Sequence, residues 1–253
     1  PQHIFFTRPK ASGGQRVVAN LPSFYRVYTM SRISVVRDWE RRNSRPYFYA
    51  GEGKGSIDAI YDATMENAFA SMKGKHIVSG MSDVKKCFEK LKHQKLVDQG
   101  VRNSFPLRIL GMALAMYRSP RCIQVGNATA GCIVTDHGVG AGCTLAMACV
   151  RVYVINAIDQ FVEEYLITSS LFSYRISLYV DDLILQIIGT RITATAVRSC
   201  TVITALHATF DQLLVLQFLK ALLNATHSRD DMFPFHAGNG IFHRCIIDGI
   251  DGS

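Results

Sequence analysis

The side chains best placed for chemistry are two adjacent acids, Asp181 and Asp182, set between two apolar, β-favouring runs, Phe172–Tyr179 and Leu183–Ile188. Runs of this kind split by a short polar step predict a tight hairpin with the acids at its turn. Two carboxylates among Leu178, Tyr179, Leu183 and Ile184 are costly to bury unless a counter-charge neutralises them. A divalent cation does so, and a hard cation such as Mg²⁺ collects several oxygen ligands, so a third acid from elsewhere in the chain is expected. Asp83 is the candidate: it ends the strand predicted over His76–Ser82 and precedes a lysine-rich run. Taken alone, each feature also has an ordinary explanation, Asp83 as the N-cap of a following helix and Asp181–Asp182 as a polar turn.

The elements that must position these acids are patterned along the rest of the chain. Ile4–Thr7 and Gln15–Asn20 read as two strands joined through Pro9–Gly14, and Leu21–Arg42 reads as a helix. Ser56–Met72 carries apolar residues at helical spacing, with Ser56 placed to cap it. Asn103–Tyr117 is predicted as a helix, Arg121–Val125 and Cys132–Thr135 as short strands, Thr144–Leu166 as a long apolar helix and Thr193–Phe210 as a further one. From Ala221 onward, including Ile241–Ile247, strand signals are weaker. Glycine clusters at 13–14, 51–55 and 138–142 punctuate a mixed α/β chain without repeats.

With 253 residues and 48% hydrophobic content the chain buries a substantial core, and a formal charge of +8 favours a polyanionic partner. Seven cysteines, an odd number without a C-x-x-C pair, read as reduced thiols of an intracellular protein, nuclear or cytoplasmic. The longest apolar stretch, Cys143–Ile158, is interrupted by Arg151 and is too short to span a bilayer, so no membrane partner is expected. The start at Pro1, without a Met or a basic-then-apolar leader, and the end at Asp248–Ser253 read as the limits of an excised piece.

Several motifs in order resemble those of reverse transcriptases. Ser82-Asp83-Val-Lys-Lys-Cys-Phe88, an Asp followed five residues later by an aromatic, is similar to their first catalytic motif, and Tyr179-Val180-Asp181-Asp182 to their third. Between them, Gly138-Val-Gly-Ala-Gly142-Cys-Thr-Leu145 opens a long helix as the second motif does. Thr7-Arg8-Pro-Lys10, Gly14-Gln-Arg16-Val-Val, Leu21-Pro22 and Tyr25-Arg26 resemble the fingers hairpin of the family. Gly55-Ser56-Ile57-Asp58-Ala59-Ile60 resembles the segment before the first motif in non-LTR retroelement enzymes, and Leu219-Lys220 the lysine-bearing fourth motif.

The resemblance implies an α+β right-hand polymerase with a fingers part, 1–75, and a palm, 76–253, built on an antiparallel ferredoxin-like sheet. Residues 103–137 are expected as a fingers insert, and no thumb is expected. It implies RNA-directed DNA synthesis with two Mg²⁺ ions, or Mn²⁺ in their place, held by Asp83, Asp181 and Asp182, on an RNA or DNA template with a primer. Lys10, Arg16, Val84, Phe88 and Gly142 are the implied dNTP contacts, with Phe88 under the sugar where it excludes a 2′-hydroxyl. Lys220 is the implied proton donor or phosphate neighbour, or else a surface lysine with a snorkelling stem. Lys85, Lys86, Lys90, Lys92 and Lys95, with Arg118 and Arg121, either track phosphates or form a solvated face. Many family members have Pro-Gln where this chain has Gly140-Ala141. An RNA-dependent RNA polymerase and a decayed, nucleic-acid-binding remnant are the two alternatives.

Overall fold

The computed structural model describes residues 3–9, 15–51, 53–84, 86–125, 127–211 and 216–224. The chain divides into two compact units, Pro1–Arg45 with Lys86–Asn156, and Pro46–Lys85 with Ala157–Ser253.

In the first unit, strands β1 (His3–Pro9) and β2 (Gln15–Asn20) pair antiparallel, β1 pairs parallel with β4 (Arg121–Val125), and β4 pairs with the short β5 (Ala128–Thr129). The predicted helix over 21–42 is two helices, α1 (Ser23–Ser31) and α2 (Ile33–Arg42), broken at Arg32. Just before the break the hydroxyls of Thr29 and Ser31 donate to the carbonyls of Arg26 and Tyr28, three residues back, drawing acceptors away from the helical ladder. Helices α5 (His93–Arg102) and α6 (Leu107–Tyr117) follow the short α4 (Cys87–Lys90), so the helix expected from Asn103 begins four residues later. Trp39 is buried against Phe105 and donates its indole N–H to the carbonyl of Asn103, tying α2 to the α5–α6 turn. Helix α7 (Ala146–Tyr165) shows no stripe in this unit because Val150, Val152, Tyr153, Val154 and Ile155 are all buried.

The reading of all cysteines as reduced thiols is corrected here: Cys122 and Cys132 form a disulfide. Arg121 and Ile133 exchange both backbone hydrogen bonds, which makes 122 and 132 the next, non-hydrogen-bonded pair, whose side chains approach most closely. Cys132–Thr135 is otherwise a single bridge and not the expected strand.

The second unit holds a four-stranded, wholly antiparallel sheet in the order β6 (Phe172–Tyr179), β7 (Asp182–Gly189), β3 (His76–Val84), β8 (Leu216–Asn224). Residues 47–49 bridge the outer edge of β6 near its end, with Leu178 and Tyr49 donating N–H groups to Tyr47 and Leu178. Helix α3 (Ser56–Met72) packs on one face: Gln186 donates to Ala63 and Asn67, and Ala70 meets Ile77 and Ile188. Helix α8 (Ile192–Asp211) packs on the other, where the Ile203 side chain lies against Gly80. Strand alternation puts Ile77, Ser79 and Gln186 on the α3 face and Gly80 and Leu185 on the α8 face, so the middle of β3 and of β7 is buried on both sides. The cap of α3 is not Ser56: Gly55 occupies the N-cap and donates its N–H to the Asp58 carboxylate at 2.7 Å.

Gly189, the last residue of β7, fixes the closeness of α8. A Cβ there would overlap the hydroxyl of buried Thr195 and lie 3.1 Å from the Phe172 ring. Gly189→Val is expected to destabilise the second unit by about 3 kcal/mol, because Thr195 is branched and cannot swing aside. A thermal midpoint within a degree or two of the parent would contradict this packing.

Candidate metal centre

The register of the sheet brings the three acids together. Asp83, near the end of β3, is paired with Asp182, the first residue of β7. The Val84 N–H donates to the Asp181 carbonyl at 2.9 Å, which marks 83 and 182 as a non-hydrogen-bonded pair with side chains close on one face. Asp181 lies in the two-residue turn between Tyr179 and Asp182, the last cross-strand pair of the hairpin. One carboxylate oxygen from each of Asp83, Asp181 and Asp182 lies within 4.8 Å of the others. Burial, and then the Asp83 carboxylate opposite, raise the Asp182 pKa above its ordinary value.

That donor set fits a divalent cation: hard oxygen ligands, half-buried at Asp83 and Asp181 and exposed at Asp182, whose mutual repulsion a cation relieves. The turn itself is strained. Val180 has φ 59°, a left-handed conformation that a β-branched residue rarely adopts, and Lys86, three residues after Asp83, has φ 54°. Such strain persists only where surrounding structure enforces it and is concentrated at functional sites.

Behind the hairpin the second unit carries a polar network that the sequence did not announce. Arg175 of β6 donates to Asp62 and to the Tyr49 hydroxyl, each at 2.6 Å, Tyr49 donates to Asp62 at 2.6 Å, and Glu66 lies 3.6 Å from the guanidinium. The network ties the edge segment, β6 and α3 together. The available signal was the spacing Asp58, Asp62, Glu66, three acids on one face of α3.

The remaining expected site residues are distributed as follows. Val84 is buried, so it offers backbone and not side chain. Phe88 lies half-buried in α4, in the first unit, and its carbonyl accepts the Val139 N–H at 2.8 Å. Gly142 has φ 93° with open space where a Cβ would sit, so its glycine answers to backbone conformation. At Gly140 a Cβ would come 3.3 Å from the Ala19 Cβ, a crowding that accounts for glycine at that step. Arg16 lies in β2 opposite Arg8, and Lys220 lies in β8 opposite Met81, two residues from Asp83. Lys10 and Lys85 fall outside the described residues. Arg121 is withdrawn from the set that tracks phosphates, since its guanidinium donates to the carbonyls of Tyr117, His137 and Gly138. Lys95 lies 5.4 Å from the centre of the Tyr153 ring.

The fold has counterparts among solved structures. Telomerase from Candida tropicalis in complex with the TWJ fragment of telomeric RNA aligns with a TM-score of 0.64 over 88% of this chain and 41% of that one, at 12% identity. Apo telomerase from Candida tropicalis truncated from its C-terminal domain aligns at 0.58 over 88% of this chain and 50% of that one, at 13% identity. Telomerase from Candida albicans in complex with a TWJ fragment of telomeric RNA aligns with a TM-score of 0.58 over 90% of this chain and 44% of that one, at 11% identity. This is a polymerase-like fold. Telomerase is a reverse-transcriptase-related enzyme, and the likeness at such identity is one of fold alone. The chain spans half or less of the length of these telomerases, and its sequence matches no protein-family profile and no curated protein. Among the described residues no helix is long and apolar enough to cross a membrane.

Proposed function

We propose that the chain is the fingers and palm of an RNA-directed DNA polymerase of non-LTR retroelement type, joining dNTPs to a primer 3′-hydroxyl on a nucleic-acid template. The observation that carries this reading is the convergence of Asp83, Asp181 and Asp182 at the end of a central strand and an adjoining hairpin. The strand order supports it too, since across the sheet β6, β7, β3 and β8 are the second, third, first and fourth of its strands along the chain, the ferredoxin-like arrangement. Fingers are assigned to residues 1–75 with the insert 103–137, and palm to the rest of 76–253, with α3 backing the sheet of the acids.

Each residue has a role in this reading. Asp83, Asp181 and Asp182 hold two Mg²⁺ ions, which when bound supply charge neutralisation at the attacking hydroxyl and the triphosphate. Lys10 and Arg16 grip the outer phosphates, Phe88 lies under the sugar, the backbone at Val84 and Gly142 borders the nucleotide, and Lys220 serves the leaving phosphate. The charge distribution fits a nucleic-acid partner. The first unit carries eighteen Lys and Arg against five Asp and Glu, while the second carries ten against fifteen. A basic unit takes up phosphate backbone, whereas an acidic one gathers cations. Two of the telomerase structures hold a fragment of telomeric RNA, in keeping with an RNA template here.

The test is primer extension on an RNA template with Mg²⁺, comparing deoxy- and ribonucleotides, with Asp181→Asn as control. Incorporation of deoxynucleotides that Asp181→Asn abolishes supports the reading. Preferential ribonucleotide incorporation identifies an RNA-dependent RNA polymerase, and template binding with no incorporation of either identifies the non-catalytic remnant that Ala141, lacking an amide at that step, would favour.

A further inference from the structure

Two segments of the first unit run side by side. The stretch after Asp83 and the stretch entering the glycine motif form an antiparallel bridge at Lys92 and His137. Around it, Gly138 donates its N–H to Leu91 at 2.8 Å, Val139 to Phe88 at 2.8 Å, and Asp136 accepts the N–H of His93 at 2.9 Å. Gly138 has φ 83°, and a Cβ there would lie 3.1 Å from the Glu89 carbonyl, so the backbone of the glycine motif turns here under close constraint.

What holds that turn is a fully buried histidine. His93 opens α5, is 0% exposed, and approaches the Gly138 carbonyl through Nε2 at 2.8 Å. A carbonyl only accepts, so Nε2 carries the proton and Nδ1 is the bare nitrogen, and Nδ1 has no hydrogen-bond partner among the described residues. The second lone pair of the same carbonyl takes the Arg121 guanidinium at 2.9 Å. Burial lowers the His93 pKa, Arg118 and Arg121 lower it further, and Asp136 and the backbone bond oppose them. The other titratable neighbours are Tyr117, whose ring centre lies 6.4 Å away, His137, which is paired with Asp136, and Lys92.

We propose that neutral His93 is a positioning residue that fixes the backbone of Gly138–Gly142 against the Phe88 segment, and so sets the affinity for the incoming nucleotide. This rests on the proposed polymerase reading, since it is that reading that puts Phe88 and Gly142 beside the nucleotide. Protonation of the ring would add a second N–H facing no acceptor and a charge beside Arg118 and Arg121, so the hold is expected to loosen in acid.

The experiment compares His93→Gln, whose amide places a donor near Nε2 without a titratable group, with His93→Phe, which fills the space and donates nothing. In full-chain primer extension, His93→Phe is expected to raise KM for dNTP at least tenfold with kcat changed less than threefold, and His93→Gln to stay within threefold of the parent in both. KM of the parent is expected to rise only in acid, below the ordinary histidine range because burial lowers the His93 pKa, and that acid limb is absent in His93→Gln. Independently of activity, amide exchange at Gly138 and Val139 is expected to quicken at least tenfold in His93→Phe and stay near parental in His93→Gln, with α6 unchanged in both. Unchanged exchange at 138–139 in His93→Phe overturns the positioning role. Quickened exchange in an active enzyme whose KM does not move overturns the link to the nucleotide. A parent without incorporation refutes the polymerase reading, while the exchange arm still decides the positioning. If His93→Phe quickens exchange throughout, the pH profile of His93→Gln decides, and an acid limb kept in that variant overturns the proposal.

Discussion

Asp181→Asn is expected to lower nucleotide incorporation about 10³-fold or more while leaving the chain folded, because a carboxamide keeps the shape of the side chain and removes its charge. Asp83→Asn carries the sharper test. Asp83 and Asp182 face each other as a close cross-strand pair, and like charges so placed oppose folding. The Asp182 carboxyl is accordingly raised above its ordinary 3.8 by burial and by Asp83. A carboxyl whose folded pKa is raised holds its proton longer in the folded state than in the unfolded one. Without a divalent cation, stability therefore falls as pH rises from the unfolded value through the folded one, and the penalty is fully present only above both. Replacing Asp83 is expected to flatten that slope and raise the thermal midpoint of the metal-free protein. Added Mg²⁺ should reverse the ranking: the parent gains about 2.7 kcal/mol at a hundredfold excess over Kd, while Asp83→Asn gains little. Equal gains in both proteins, followed by calorimetry or thermal melting, would remove Asp83 from the cation site whatever the activity assays report.

How far this site was legible depended on whether its residues answer to local or distant neighbours. The hairpin was legible because Phe172–Tyr179 and Leu183–Ile188 are apolar, β-favouring runs on either side of a short acidic step, a pattern that survives without knowledge of the partner strand. Asp83 was legible as a strand end, but its pairing with Asp182 is a fact of register, fixed by β7 lying between β3 and β6. Arg175 was missed because a lone charge in an apolar strand reads as an outward-facing residue, and its partner Asp62 lies 113 positions away. The hold of His93 was illegible for a similar reason: its partner carbonyl lies 45 positions later and carries no side-chain signal. The disulfide escaped the cysteine arithmetic because Cys122 and Cys132 are brought together by one bridge in an otherwise irregular segment. Helix α5 went unnamed because the run Lys90, Lys92 and Lys95 draws attention to charge, although His93, Leu96 and Gly100 recur at helical spacing on its buried side.

Phe88→Ala is expected to relax the choice of sugar by about 10²-fold, measured as the ratio of kcat/KM for deoxy- over ribonucleotides, with deoxynucleotide incorporation reduced far less. The argument is steric. On the proposed reading the ring lies under the sugar of the incoming nucleotide, and rejecting a 2′-hydroxyl requires a rigid wall where the oxygen would sit. Phe88 has the means to be rigid, since its own carbonyl accepts the Val139 N–H at 2.8 Å and so binds α4 to the glycine motif. The neighbouring Cys87 is buried, which turns Phe88 toward the half-exposed side of the same short helix. A core role predicts a different result: removing a buried aromatic costs about 3–5 kcal/mol of stability, whereas a half-exposed one costs less. The two explanations separate on one pair of measurements, the sugar ratio and the thermal midpoint. A large loss of stability with an unchanged sugar ratio would make Phe88 a packing residue and leave discrimination against ribonucleotides without a residue to perform it.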